Sequence, residues 1–351
     1  MRFGAIIVPQ VPDGDPEPYR DVLEQALRAE ELGFDSVWLT EHHFSPYGRP
    51  GVEPLAAYVG ARTKRIRIGV AIVVLPLHHP LRVAEDWATI DHLLEGRLEF
   101  GVGRGSQPAE FASFEIGLDT ARERFKESLS IIRRSWTEDS FAHEGEFWNF
   151  PETKVLPKPY QQPHPRIWGT AVSDYSVKMM VDYGVHGIIG PYLTPYELLK
   201  ENYFDVWHQA VRDAGRTDLQ LAHNEFIYVG ETEEQVKADA EKDVMWYVKL
   251  AAKIWGERDR SKVVDQYSNY ADFLDHFEQL SFDEIYQDLS MLGTPDRVSE
   301  KVAWFEEQGV DELMAFLSFG GLSQEKSMRN MEMFATEVMP RFKESKKPVP
   351  A

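Results

Sequence analysis

Two histidine pairs and one arginine set among glycines hold most of the side chains that could do chemistry. They sit in Thr40-Glu41-His42-His43-Phe44, in Leu75-Pro76-Leu77-His78-His79-Pro80 and in Gly101-Val102-Gly103-Arg104-Gly105-Ser106. A fourth segment, Ala171-Val172-Ser173-Asp174-Tyr175-Ser176, adds two hydroxyls three residues apart. The paired histidines suggest a metal. Adjacent residues leaving a strand point to opposite sides, however, so each pair offers one inward ligand. No His-x-His or second carboxylate pattern completes a hydrolase set, and no metal is expected. His78-His79 before Pro80 reads instead as a turn that caps the following helix. The glycine loop does not open directly into a helix and lacks the distant acid of a nicotinamide fingerprint. It does let a flat ligand approach the backbone while the Arg104 guanidinium reaches a phosphate. At 172–176 the hydroxyls either cap a helix or join its free N–H groups in holding an anion. With Arg104 one strand away, the phosphate reading is the stronger.

Those segments need strands to carry them. Apolar runs at 3–8, 36–39, 66–74, 98–102, 166–168, 187–189, 220–229 and 312–319 read as eight strands. The first, third and fourth are nearly continuous in apolar residues, as suits parallel strands buried on both faces. Helical spacing follows, as in Val83, Trp87, Ile90 and Leu94, and in Phe125, Leu129, Ile132 and Trp136. Eight strand–helix repeats predict a single (β/α)8 TIM barrel, α/β in class, over residues 1–342. Reactive groups are then expected at the C-terminal ends of the strands. Two insertions break the rhythm. The first, about 138–165, is a small hairpin and a connector with five prolines between 151 and 165; the second, about 251–292, is mostly helical, a surface excursion or a lid. Residues 343–351 read as a flexible tail.

Composition excludes several classes. The 351 residues hold 58 acids against 38 bases, a formal charge of −20, which disfavours nucleic acid and anionic membrane. There is no cysteine, so thiolate metal sites, iron–sulfur clusters and cysteine nucleophiles are out. The longest apolar stretch, 68–77, is half the ~20 residues of a membrane helix. The first nine residues read as a buried strand rather than a signal peptide, and a cytoplasmic location is expected.

Together the motifs resemble the luciferase-like flavin-dependent monooxygenase family, to which the bacterial luciferases belong. The resemblance is carried by Glu41-His42-His43-Phe44, Ala71-Ile72-Val73-Val74-Leu75-Pro76 with His79-Pro80, Ala84-Glu85-Asp86, Gly96-Arg97, the Arg104 loop, Gly293-Thr294-Pro295 and Gly320-Gly321. It implies a (β/α)8 barrel holding reduced FMN at its C-terminal mouth. Arg104, Ser173 and Ser176 would hold the flavin phosphate. Ala71 and Ile72 would lie beneath the isoalloxazine ring, often joined by a non-prolyl cis peptide. His42 would face the reacting edge, with Glu41 orienting that corner. His42 suits proton exchange through its ordinary pKa of about 6.5.

The implied chemistry is oxygenation of a small organic substrate by reduced FMN and O2, with a separate flavin reductase. The same resemblance admits a deazaflavin-dependent dehydrogenase or a non-catalytic flavin-binding protein. It also implies a homodimer through helices at 54–63 and 80–94. Two departures argue against light emission: Gly103 stands where the light-producing chain has cysteine, and Val172 where it commonly has glutamate. Trp38, Phe44, His223 and Asn224 are pocket residues expected from strand position.

Overall fold

The computed structural model describes residues 1–10, 18–48, 51–256 and 279–343. Eight parallel strands close on themselves: β1 (Arg2–Ile7), β2 (Ser36–Leu39), β3 (Arg67–Val74), β4 (Leu98–Gly103), β7 (Arg166–Thr170), β8 (His186–Ile189), β9 (Leu221–Val229) and β11 (Glu312–Ser318), with β11 returning to β1. Every strand expected from the apolar runs is present, and helices pack outside them. The first insertion contains the expected antiparallel hairpin, β5 (Phe141–Glu144) and β6 (Asn149–Thr153).

One strand escapes the pattern. β10 (Met291–Gly293) adds to the C-terminal end of β9 and is too short to show a period. Most of the second insertion, 257–278, and the tail 344–351 lie outside the described residues.

The continuous apolar runs have a direct cause. Phe3, Ala5 and Ile7 of β1 pack outward against helices, whereas Ile6 and Val8 point into the barrel; β9 and β11 alternate in the same way. Both faces are buried, so neither admits a polar period.

The N-terminal end of the barrel is plugged by two indoles. Trp38 and Trp168 meet edge to face at 5.7 Å and 89°. Each needs a partner for its N–H. Trp38 Nε1 donates to Glu312 Oε1 at 2.8 Å, and Trp168 Nε1 donates to Glu99 Oε2 at 2.8 Å. Arg2 Nη2 meets Glu312 Oε2 at 3.0 Å, and Arg67 and Arg166 both donate to Glu99. Burial would push the Glu99 carboxyl up, but the two guanidiniums hold it below its ordinary value. Trp38 is therefore structural plugging, well below the mouth where a ligand would lie. Glu99→Ala should cost about 3–5 kcal/mol of stability in urea unfolding, because it strands two guanidiniums and a buried indole N–H. A loss below about 1 kcal/mol would show that the plug does not depend on this carboxylate.

Candidate active site

The C-terminal strand ends surround a cavity lined by Glu41, His42, Ala71, Ile72 and Arg104 together. The Ala71–Ile72 peptide is cis. Ile72 takes the space beside Gly103: a Cβ at that glycine would stand 1.9 Å from Ile72 Cδ1. Glycine at position 103 thus leaves room for the residue lining the cavity.

Glu41 is almost fully buried and bonded on both oxygens. Oε1 is 2.8 Å from His43 Nε2 and 2.7 Å from His78 Nε2, while Oε2 accepts the Val74 N–H at 2.9 Å. Burial alone would raise its pKa, but the bonds to His43 and His78, with the His78 charge and the Val74 amide, bring it down to about 2. The His78 imidazole moves the opposite way: burial lowers it, and the Glu41 bond and charge more than reverse that. The ligand atoms of Glu41, His43 and His78 fall within 4.8 Å of one another, and the shared Glu41 oxygen accounts for that closeness by hydrogen bonding. His79 caps the helix Pro80–Leu93, accepting from Leu81 N at 3.3 Å, as expected. His78 does not belong to that cap; it reaches back to Glu41.

His42 corrects the sequence expectation. Burial lowers its pKa to about 3, and the Glu41 charge offsets this only in part. Gln107 Nε2 lies 3.1 Å from His42 Nδ1. An amide NH2 only donates, so Nδ1 accepts and the proton sits on Nε2. The ring packs edge-on to Tyr47 at 4.3 Å. Near neutrality it is a neutral imidazole and a hydrogen-bond donor, not a group half charged at pH 6.5. Glu41 makes no bond to it. The second titratable group in this corner is Glu110, which sequence reasoning missed. It is buried at the start of the short helix Pro108–Ser113, lines the cavity, and accepts the His43 N–H at 2.8 Å. Burial pushes its carboxyl up to about 7, despite the lowering by the His43 amide.

Ser173 and Ser176 begin the helix Asp174–Tyr183 beside Val172, which lines the cavity with Arg104; the two serines themselves do not line it. They form a capping box, with hydroxyls 3.0 Å apart and each bonded to the other's backbone amide. The cap is made, and Val172, the residue just before it, lines the cavity. A second guanidinium stands near. Arg122 lies over the Tyr175 ring at 4.1 Å, and its Nε is buried without a hydrogen-bond partner. Tyr175 belongs to the first turn of the helix that Ser173 caps, and a buried cationic donor left open over it suits an anionic ligand. No sequence motif marks Arg122, which belongs to the periodic helix Ala121–Thr137.

Strand position misassigned two further residues. Phe44 is 66% exposed and outside the cavity. His223 faces the outer helices, stacked on Phe305 at 4.6 Å, while Asn224 lines the cavity. Neighbours on one strand point to opposite faces, so only one of the two could enter. The mouth is also lined by Tyr47, Tyr192 and Tyr247, the last from the helix Glu233–Gly256 that precedes the undescribed part of the second insertion.

The chain matches the family model described as luciferase-like monooxygenase over residues 1–312. It is 28% identical over 354 aligned residues to the oxygenase component of the flavin-dependent trigonelline monooxygenase of Acinetobacter baylyi, covering 99% of this chain and 97% of that one. Among solved structures, monooxygenase RslO1 from Streptomyces bottropensis superposes with a TM-score of 0.82 at 26% identity, over 97% of this chain and 100% of that one. The oxygenating constituent of 3,6-diketocamphane monooxygenase from Pseudomonas putida, in complex with FMN, shares the fold with a TM-score of 0.81 at 22% identity, over 97% and 98%. The barrel, its mouth and the family match converge: this chain is a member of the luciferase-like monooxygenase family.

Proposed function

We propose that the protein is the oxygenase component of a two-component flavin-dependent monooxygenase. It takes reduced FMN from a separate reductase and uses O2 to oxygenate a small organic substrate. One observation carries this reading: Arg104 lines the same cavity as His42 and the cis-joined Ala71 and Ile72, together with Val172, the residue just before the Ser173 helix cap. Bound reduced FMN supplies the electrons that activate O2, one oxygen atom entering the substrate and the other leaving as water.

The residues divide the remaining work. The Arg104 guanidinium, with the helix start after Val172, offsets the charge of a phosphate in a chain that is negative overall. Ala71 and Ile72 present backbone and apolar surface to a flat ring. His42, neutral and fixed by Gln107, offers an Nε2–H donor. Glu110, with its pKa near neutrality, holds or releases a proton at the cavity wall. Glu41 stays ionised and positions the loops that carry both.

A cytoplasmic location and a homodimer belong to the same reading. Tyr58 and Leu93 stand exposed, at 43% and 60%, on the helices Val52–Gly60 and Pro80–Leu93, which supports a partner face there. Sedimentation should return about twice the 40.4 kDa chain mass, and a monomer at micromolar concentration removes the dimer.

Arg104→Ala should weaken FMN binding by about 1.5–3 kcal/mol, roughly 10- to 150-fold in Kd, by flavin fluorescence titration. An unchanged Kd rejects the phosphate role. A parallel titration with a deazaflavin tests the cofactor, since tighter binding of the deazaflavin would displace FMN from the reading. His42→Ala should leave FMN affinity within about twofold while slowing oxygenation about a hundredfold. Full activity in that variant removes His42 from the chemistry.

Glu110 gives a pH signature. Its folded pKa of about 7 lies above the ordinary 4.5, so its contribution to stability is complete below pH 4.5 and is lost as pH rises through about 7. Glu110→Gln, which copies the neutral form, should therefore melt above the wild type at about pH 8 and level with it near pH 4. A constant Tm difference across that range would show that Glu110 does not titrate there.

A further inference from the structure

The cavity is chemically lopsided. Arg104 is the only lysine or arginine lining it among the described residues, and it stands after β4, next to the Val172 rim of β7. Across the mouth the lining changes to phenol rings. Tyr47 follows β2, Tyr192 follows β8, and Tyr247 descends from the helix after β9. The rings contact in sequence: Tyr47 to Tyr247 at 5.5 Å, Tyr247 to Tyr192 at 5.7 Å and 82°, with Phe226 behind both. Their hydroxyls are engaged. Tyr47 and Tyr247 share a 3.1 Å bond, and Tyr192 bonds the Asn224 side chain. Burial raises all three phenols above their ordinary range, so they stay uncharged.

Asn224 is seated by the backbone opposite it. A Cβ on Gly190 would stand 2.3 Å from Asn224 Oδ1, so glycine there lets the amide sit against the chain at the cavity wall. This end therefore offers aromatic faces, one neutral amide and no cation.

We propose that the end of the cavity opposite Arg104 receives a planar aromatic or heteroaromatic ring bearing no negative charge, packed among Tyr47, Tyr192 and Tyr247 beside the Asn224 amide. The inference rests on the reading that Arg104 serves the flavin phosphate. Aromatic rings gain from edge-to-face and offset contacts that a saturated ring of the same outline cannot make. A carboxylate would shed its water to face π-electron density, with no cation in reach except the one the phosphate holds. The ionised Glu41 at the same mouth adds repulsion.

Titration calorimetry on the full chain, flavin-free and saturated with oxidised FMN, tests this with three probes: acetophenone, its saturated counterpart cyclohexyl methyl ketone, and benzoate. Acetophenone should bind at least about tenfold more tightly than benzoate and about fivefold more tightly than the saturated ketone. Tyr192→Leu should bring the preference over the saturated ketone below about twofold, and Tyr192→Phe, which keeps the ring, should retain it. Equal or tighter binding of benzoate or of the saturated ketone overturns the inference, as does failure of acetophenone to bind. FMN failing to bind would sink the flavin reading separately, because the flavin-free titrations compare the probes without it.

Discussion

A carboxylate buried and ionised at the barrel mouth organises what surrounds it. Glu41 leaves β2, yet its oxygens are bonded to His43 on its own loop, to His78 beyond β3 and to the Val74 amide at the end of β3. A buried charge is tolerated only when its acceptor positions are filled, so these three partners are held in place by the cost of losing any one. The consequence reaches further. The backbone amide of the bonded His43 is held by Glu110, and the neighbouring Gln107 fixes the His42 ring. The wall of the site is thus built outward from one anion, and the Ala71–Ile72 peptide lies just upstream of the amide that anion holds.

The same wall sets the protonation states. Desolvation drives His42 to its neutral form and Glu110 towards its protonated form near neutrality. Histidine is the residue expected to exchange protons near pH 7, and here the carboxyl is the group tuned to that range. The reversal comes from packing. Among the described residues, His42 lies beside Tyr47 with the neutral Gln107 amide as its hydrogen-bond partner, and the buried Glu110 carboxylate accepts the His43 backbone N–H.

Charge at the mouth does not follow charge on the chain. A protein with a formal charge of −20 sets Arg104 in the wall of its cavity, near the Val172 rim, and lines the rest of the mouth with uncharged phenols. At this scale the local field counts for more than the net charge, since exposed charges beyond about 10 Å are screened by salt. An anionic group and an uncharged ring can then occupy one cavity without competing for the same side chains.

The eight strands, their burial on both faces, the hairpin, the strand bearing Ala71 and Ile72 and the loops bearing Glu41 and Arg104 were legible in the linear chain. Apolar period and local turn chemistry are properties of neighbours in sequence, and a parallel barrel converts strand order directly into loop position. Contacts between distant segments left no such trace. Glu110, Arg122 and Tyr247 lie in ordinary helical patterns and Gln107 just ahead of one, and each acquires its role only when the barrel brings it against a partner from another loop or helix. Which of His223 and Asn224 faces inward depends on strand register, which a run of nine buried residues conceals. The pKa of His42 was set by what was packed around it. Residue type and spacing therefore decided the scaffold and the loops that bear the chemistry, whereas desolvation and long-range contact, which exist only in the folded chain, decided the charge each group carries.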